Sequence, residues 1–317
     1  MLGRRPLVVI LQQCRQYSSA PGFKPVPTLP NASLDMFRQH AFNQAMPALL
    51  PRQIFQGLPA VQKWFAEDSN PHAGATLNRS YLARYGSTIV PLEISHNDQF
   101  NRIEQPLSFF LECVYASSST YRPRPSRYFS AYVPNARAIK QTKRSNEFFS
   151  AATITPPTAR IYLAQAPVAN LPHSLRADVP TPDIVLKAGQ GDIYDSSIWL
   201  GQAPTYTPLH RDPNPNLFVQ LAGTKIVRLF SPEVGRAIFA KVQEQIGGAA
   251  SATMRGEEMM HGAERKALED AVWNEQAAKL NTGFEAELET GDGMFIPKGW
   301  WHSIKGMGSG MTGSVSI

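Results

Sequence analysis

The sequence predicts a mostly β fold with helical additions, in which a barrel of antiparallel strands carries the chemistry. Two observations lead there, and composition supports them. The stretch Thr205-Tyr206-Thr207-Pro208-Leu209-His210-Arg211-Asp212 reads as a loop running into a strand, because Pro204 and Pro208 bar a helix. On a strand, side chains i and i+2 share a face, so His210 and Asp212 project together and Arg211 projects the other way. An imidazole beside a carboxylate makes two corners of a metal site. His302, in Ile296-Pro297-Lys298-Gly299-Trp300-Trp301-His302, offers a third. Two histidines and one carboxylate form the triad that holds non-haem Fe(II) on one face and leaves the other open. The two halves lie far apart in sequence, and an antiparallel barrel brings such halves together. The 26 prolines favour turns over long helices.

Residues 1–20 read as a mitochondrial transit peptide. The first acid of the chain is Asp35, while Arg4, Arg5, Arg15, Lys24, Ser18 and Ser19 precede it. Arginine- and serine-bearing, acid-poor segments of this kind read as import signals, with a disordered basic tail or, more weakly, a secretory signal as the alternatives, and Arg15-Gln16-Tyr17-Ser18 resembles a matrix-protease cleavage site. The expected compartment is therefore the mitochondrial matrix. Losing the three arginines lowers the formal charge of +6 by three, so the pI of 9.3 says little about nucleic acid. No apolar run reaches the ~18 residues of a membrane span. Only Cys14 and Cys113 occur, so no disulfide framework is indicated.

Residues 21–33 are proline-rich and read as a linker. Residues 34–150 are expected as a helical and strand region packed on the barrel. Leu34, Phe37, Phe42, Met46 and Leu49 keep helical spacing until Pro47 and Pro51 interrupt it, and Leu58 to Phe65 is a second short helix anchored by Trp64. Tyr81 to Ile94 turns to strand, and Pro106 to Tyr115 reads helical. The segment 116–150 mixes Arg122, Arg124, Arg127, Arg137 and Lys140 with Tyr121, Tyr128, Phe129 and Tyr132. Such a mixture is more often a solvated loop than an RNA or acidic-peptide contact.

The barrel is expected over 151–317. Strands are read at Ala159 to Gln165, with Tyr162 facing opposite to Ile161 and Leu163, at Leu217 to Leu221, at Lys225 to Phe230 and at Phe284 to Glu289. A helical insertion spans about 233–280: Glu233 to Ile246 and Glu257 to Lys279 have helical spacing around the breaker Gly247-Gly248. Gly306 to Gly313 reads as a glycine-rich connection and Ser314 to Ile317 as a last strand, cut short. There is no internal repeat, P-loop, dinucleotide fingerprint or nucleophile elbow.

A His-x-Asp pair by itself is short enough to occur by chance. An oxygenase that uses a 2-oxo acid needs a cation for the far carboxylate as well as a metal. Lys225 follows Asp212 by a strand and a turn, which places it on a neighbouring antiparallel strand. A surface lysine beside a turn is the ordinary alternative. Thr207 and Asn216 flank the metal pair and Tyr162 adds a phenol.

Together, Thr207-Pro208-Leu209-His210-Arg211-Asp212, Asn216, Gly223-Thr224-Lys225 and Gly291-Asp292…Ile296-Pro297…Trp300-Trp301-His302 resemble the JmjC/cupin-like Fe(II)/2-oxoglutarate oxygenases. The group concerned is the one similar to the asparaginyl hydroxylase acting on hypoxia-inducible factor. The resemblance covers about Arg160 to the C-terminus and, more loosely, the helices before it. It implies a double-stranded β-helix, or jelly-roll, using Fe(II), 2-oxoglutarate and O2. It implies His210, Asp212 and His302 as metal ligands and as the catalytic centre. It implies Lys225, Thr207 and Tyr162 as 2-oxoglutarate contacts, with Asn216 a polar neighbour. Where the family's final strand usually carries an asparagine, Ser316 stands here, which leaves one co-substrate contact and the completion of that strand open. The implied reaction is hydroxylation of a protein, RNA or small-molecule substrate, and a homodimer is left open. A cupin-fold metalloenzyme without 2-oxoglutarate, or a non-catalytic binding protein of the same fold, are the alternatives. A matrix address argues against histones as substrate.

Overall fold

Short apolar runs separated by turn residues pair into two facing sheets. The computed structural model describes residues 19–66, 74–96, 99–118, 160–191, 193–247, 261–274 and 282–317. In the N-terminal part the strands are β1 (Phe23–Pro25), β2 (Ala48–Leu49), β3 (Phe65–Ala66), β4 (Thr76–Leu77), β5 (Ile89–His96) and β6 (Gln99–Pro106). The helices there are α1 (Leu34–Phe37), which continues into a π turn at Arg38–Phe42, α2 (Pro59–Lys63), α3 (Arg79–Leu82) and α4 (Leu107–Ser118). The barrel part holds β7 (Arg160–Pro167), α5 (His173–Ala177), α6 (Asp183–Ala188), β8 (Ser197–Gln202), β9 (Thr205–Arg211), β10 (Asn216–Ala222) and β11 (Thr224–Phe230). It closes with α7 (Pro232–Ile246), α8 (Gly262–Trp273), β12 (Gly283–Leu288), β13 (Gly293–Ile296), β14 (Trp301–Met307) and β15 (Met311–Ser316).

Among the described residues, one large sheet has the order β1-β12-β11-β14-β9 and the second β2-β13-β10-β15-β8-β7-β5-β6, while β3 and β4 pair in a small third sheet. Consecutive strands β10 and β11 lie in different sheets, as a jelly-roll requires. Alternation along each strand sorts its side chains between layers. On β10, Leu217, Val219 and Leu221 face outward to the N-terminal helices, while Phe218 faces inward to Val227, Leu229 and Ile304 of the opposite sheet. Phe230, Leu209 and Trp301 face outward on the first sheet and are covered by Phe239 and Val242 of α7 and Leu268 of α8. The Trp301 ring fills the space where a Cβ on Gly235 would stand, so α7 lies directly on β14. Ser231 caps α7 by accepting from the Val234 N–H, and Gly247 ends it at φ +66°.

The second sheet is covered by α1 to α4, through Phe37, Trp64, Leu82 and Phe110. Trp64 Nε1 donates to the buried Asp178 carboxylate at 2.9 Å, which also takes bonds from Lys63 (2.7 Å) and the Tyr81 hydroxyl. Burial alone would raise the Asp178 pKa, but these three donors outweigh it and hold the carboxyl below its ordinary value.

Several elements differ from expectation. Residues 21–33 are not a linker: β1 pairs in parallel with β12, and Phe23, Val26 and Leu29 are buried. The apolar residues at 23, 26 and 29 dock this segment despite its prolines. The Leu34 to Leu49 helix is cut to α1 and its π turn, and Leu49 sits in β2. Tyr81 belongs to α3, so the following strand begins only at Ile89. The last strand is longer than expected. Gly308 and Gly310, at φ +76° and +82°, tighten the turn so that β15 starts at Met311. It is paired along its length with β8 and, from Gly313 to Ser316, with β10. The segments 1–18 and 119–159, and the ends of the expected Glu257 to Lys279 helix, lie outside the described residues.

Candidate metal centre

His210 and His302 stand opposite each other on the paired strands β9 and β14. The register shifts between this pair and Thr207–Ile304, so β9 bulges at Pro208 and Leu209. Proline has no N–H to give the ladder, and a bulge is where a sheet tolerates that. The bulge also turns the Pro208 carbonyl onto His210 Nδ1 at 2.9 Å. His302 Nδ1 faces the Trp300 carbonyl at 3.3 Å. A carbonyl can only accept, so each Nδ1 carries the proton and each Nε2 keeps a lone pair.

Asp212 follows the last paired residue of β9. Its oxygens lie 3.7 Å from His210 Nε2 and 3.6 Å from His302 Nε2. Three ligand atoms within 4.8 Å of one another form a group that can hold a metal ion. Arg211 points to the opposite face, with its guanidinium 5.7 Å from the Trp301 ring centroid. Burial, reinforced by His210, pushes His302 down to about 4 against the pull of Asp212. The imidazole is therefore neutral at pH 7, as metal ligation needs. Burial would raise Asp212, but His302, His210 and the Asn216 amide together hold it low. Asn216 Nδ2 donates to Asp212 Oδ2 at 3.4 Å, and its own Oδ1 is buried with no partner. An N,N,O donor set with the ring tautomers already fixed fits Fe(II).

Lys225 does not sit on the strand next to β9. β14 lies between them, because β10 crosses to the other sheet and β11 returns on the far side of β14. The residue still reaches the interior: Lys225 pairs with Gly306, and Gly306 with Thr205. Lys225 is 2% exposed, and its ammonium donates to Ser314 Oγ at 2.8 Å. Among the described residues no carboxylate pairs with it. Burial alone pushes the lysine down to about 7. A buried ammonium without a counter-anion suits an anionic ligand. Thr207 is half-buried opposite Ile304, on the face that carries His302. Tyr162 stands opposite Gly201, where its ring occupies the space of the absent Cβ, and 6.2 Å from Trp199 between centroids. Burial, with Glu93 opposite, pushes its phenol well above the usual range.

Ser314 and Gln220 were not singled out from the sequence. Both face the interior beside Lys225. The available signal was alternation: Thr312, Ser314 and Ser316 share one face of β15, and Gln220 breaks the otherwise apolar run of β10.

A cupin-like domain matches residues 34–317. Lysine-specific demethylase JMJ30 of Arabidopsis thaliana is 28% identical over 152 residues, covering 48% of this chain and 32% of that protein. Jumonji C domain-containing protein 5 of Drosophila melanogaster is 25% identical over 283 residues, 88% of this chain and 56% of that protein. Lysine-specific demethylase 8 of Xenopus tropicalis is 23% identical over 285 residues, 89% and 50% respectively. The chain thus spans from about a third to just over half the length of these curated relatives.

Proposed function

The chain belongs to the cupin-like domain family, alongside JmjC-domain proteins, and from that premise we propose that it is an Fe(II)- and 2-oxoglutarate-dependent oxygenase of the mitochondrial matrix. The observation that carries this reading is a single interior holding three metal donors and a buried lysine with no carboxylate partner among the described residues. His210 and His302 through Nε2, and Asp212 through its carboxylate, would hold the iron. Lys225 would receive the far carboxylate of 2-oxoglutarate, with the Thr207 and Tyr162 hydroxyls beside it. Iron bound there supplies the coupling of O2 to 2-oxoglutarate decarboxylation, which yields succinate and CO2 and places one oxygen atom in a substrate C–H bond.

The rest is the work of this chain's own groups. The Pro208 and Trp300 carbonyls orient the two imidazoles. Asn216 steadies the carboxylate. Phe218, Val227 and Leu229 keep the interior apolar, so the lysine meets its anion away from bulk water.

The names of two relatives favour a second reading of the substrate, in which the oxidised carbon is an N-methyl group on lysine. Hydroxylation there gives a carbinolamine that loses formaldehyde. Hydroxylation at a carbon not bonded to nitrogen or oxygen, whether in a protein, RNA or small molecule, gives a stable alcohol and releases none. Succinate formation from 2-oxoglutarate, with and without a mitochondrial lysate, tests the oxygenase, and formaldehyde release separates the two substrates. No succinate under either condition favours the cupin metalloenzyme alternative. The matrix assignment rests on the acid-free, arginine-bearing N-terminal segment. Residues 1–30 fused to a fluorescent protein should reach mitochondria, and a diffuse cytosolic signal contradicts it.

A further inference from the structure

Lys225 starts in one sheet and ends at the other. Its backbone is in β11, paired with Leu288 and Gly306. Its Nζ bonds Ser314 Oγ on β15 and lies 5.3 Å from the Phe218 ring centroid on β10, both in the opposite sheet. The side chain therefore spans the interior. A lysine has four rotatable bonds and a compact charge, so an unanchored one does not hold a single position. The hydroxyl that anchors it is fully buried.

The anchor is itself braced. Gln220 stands opposite Ser314 in register. Its Nε2 lies within hydrogen-bond reach of the carbonyls of Ala222 (2.6 Å) and Gly223 (3.2 Å) and of Thr312 Oγ1 (3.0 Å), so that its two N–H groups are shared among three acceptors. Those carbonyls belong to the turn that delivers Lys225, and Thr312 belongs to the strand that carries Ser314. Gly223 takes φ +68°, and a Cβ there would stand 2.6 Å from the Met311 carbonyl oxygen, so the turn lies directly on β15. One amide thus ties the backbone of the lysine's turn to the strand of its hydroxyl partner.

The metal donors stand at the other end of the same interior. Leu229 faces His302 in register, and Lys225 lies four residues back along β11. That is about 13 Å of strand at ~3.3 Å per residue. With both ends fixed, the span between iron and ammonium is fixed too.

Resting on the oxygenase reading above, we propose that Ser314 is a positioning residue: it pins the Lys225 ammonium and so sets the length of 2-oxo dicarboxylate that the cavity accepts. Released from Ser314, the lysine loses its preorganisation for the five-carbon acid and gains freedom to meet a longer one.

The test uses the full chain, loaded with Fe(II) under anaerobic conditions, and calorimetric titration with 2-oxoglutarate and with 2-oxoadipate, which is one methylene longer. Wild type should favour 2-oxoglutarate. Ser314→Ala should weaken 2-oxoglutarate on the order of tenfold to a hundredfold, as expected for one lost hydrogen bond to a charged group. It should weaken 2-oxoadipate less, so that the preference narrows, with iron content unchanged. Ser314→Thr keeps the hydroxyl and should restore the preference. A parallel loss for both acids, or an unchanged ratio, overturns the role of Ser314 while leaving the oxygenase reading intact. A wild type that binds neither acid overturns both.

Discussion

The two ends of the interior are built by different means. At the metal end, His210 and His302 face each other across one pair of neighbouring strands, and Asp212 follows two residues after His210. At the other end, Lys225 comes from one sheet and its partner Ser314 from the opposite one. The metal end therefore depends on local register within a sheet. The lysine end depends on how the two sheets close on each other. Damage at one end should leave the other largely in place, and that separation can be tested.

The largest effect is expected at the metal end. Asp212→Ala or His302→Ala should abolish stoichiometric Fe(II) binding while the fold survives, because the remaining donors sit on rigid strands. Metal analysis of purified variants measures this, and unchanged iron content counts against the triad. Next in size is Lys225→Ala, which should keep its iron and weaken 2-oxoglutarate on the order of 30- to 1000-fold. That range corresponds to roughly 2–4 kcal/mol for a buried charge-assisted contact.

The pH dependence should follow the same residue. Burial lowers the free lysine to about 7, and an anion binds the protonated form. Affinity should thus be full below pH 7 and fall as pH rises, by up to about tenfold per unit, until the lysine's pKa in the complex is passed. Lys225→Arg, charged throughout, should bind more weakly than wild type at pH 7 but without that decline. A slope that survives in the arginine variant would assign it to another group.

The smallest effect on either end should come from the N-terminal layer. Asp178→Ala strips Trp64 Nε1 of its buried partner and should cost about 2–3 kcal/mol in denaturant unfolding. Half-exposed Lys63 adds little to that sum. Iron and 2-oxoglutarate binding by the folded fraction should not change.

The contrast between the two ends also explains what the sequence reveals. His210 and Asp212 are legible because their spacing alone puts them on one face. The fold class follows from strand alternation and from the distance between His210 and His302. Lys225 is legible as a cation after a turn, but its neighbours are not. Adjacency in sequence suggests a neighbouring strand, whereas the jelly-roll sends β10 to the other sheet and inserts β14 between β9 and β11. Ser314 is invisible for the same reason, since its partner is fixed only by sheet closure. The prolines at 21–33 suggested a linker because they deny a helix, yet Phe23 and Val26 bury apolar surface without one.

The most direct measurement is a titration of 2-oxoglutarate into the anaerobic wild-type chain, with and without Fe(II), followed by visible absorption. A 2-oxo acid chelated to Fe(II) at His210, Asp212 and His302, with its far carboxylate on Lys225, should give a saturable charge-transfer band that needs the metal. Absence of any band, or 2-oxoglutarate affinity that is the same without iron, would contradict the account.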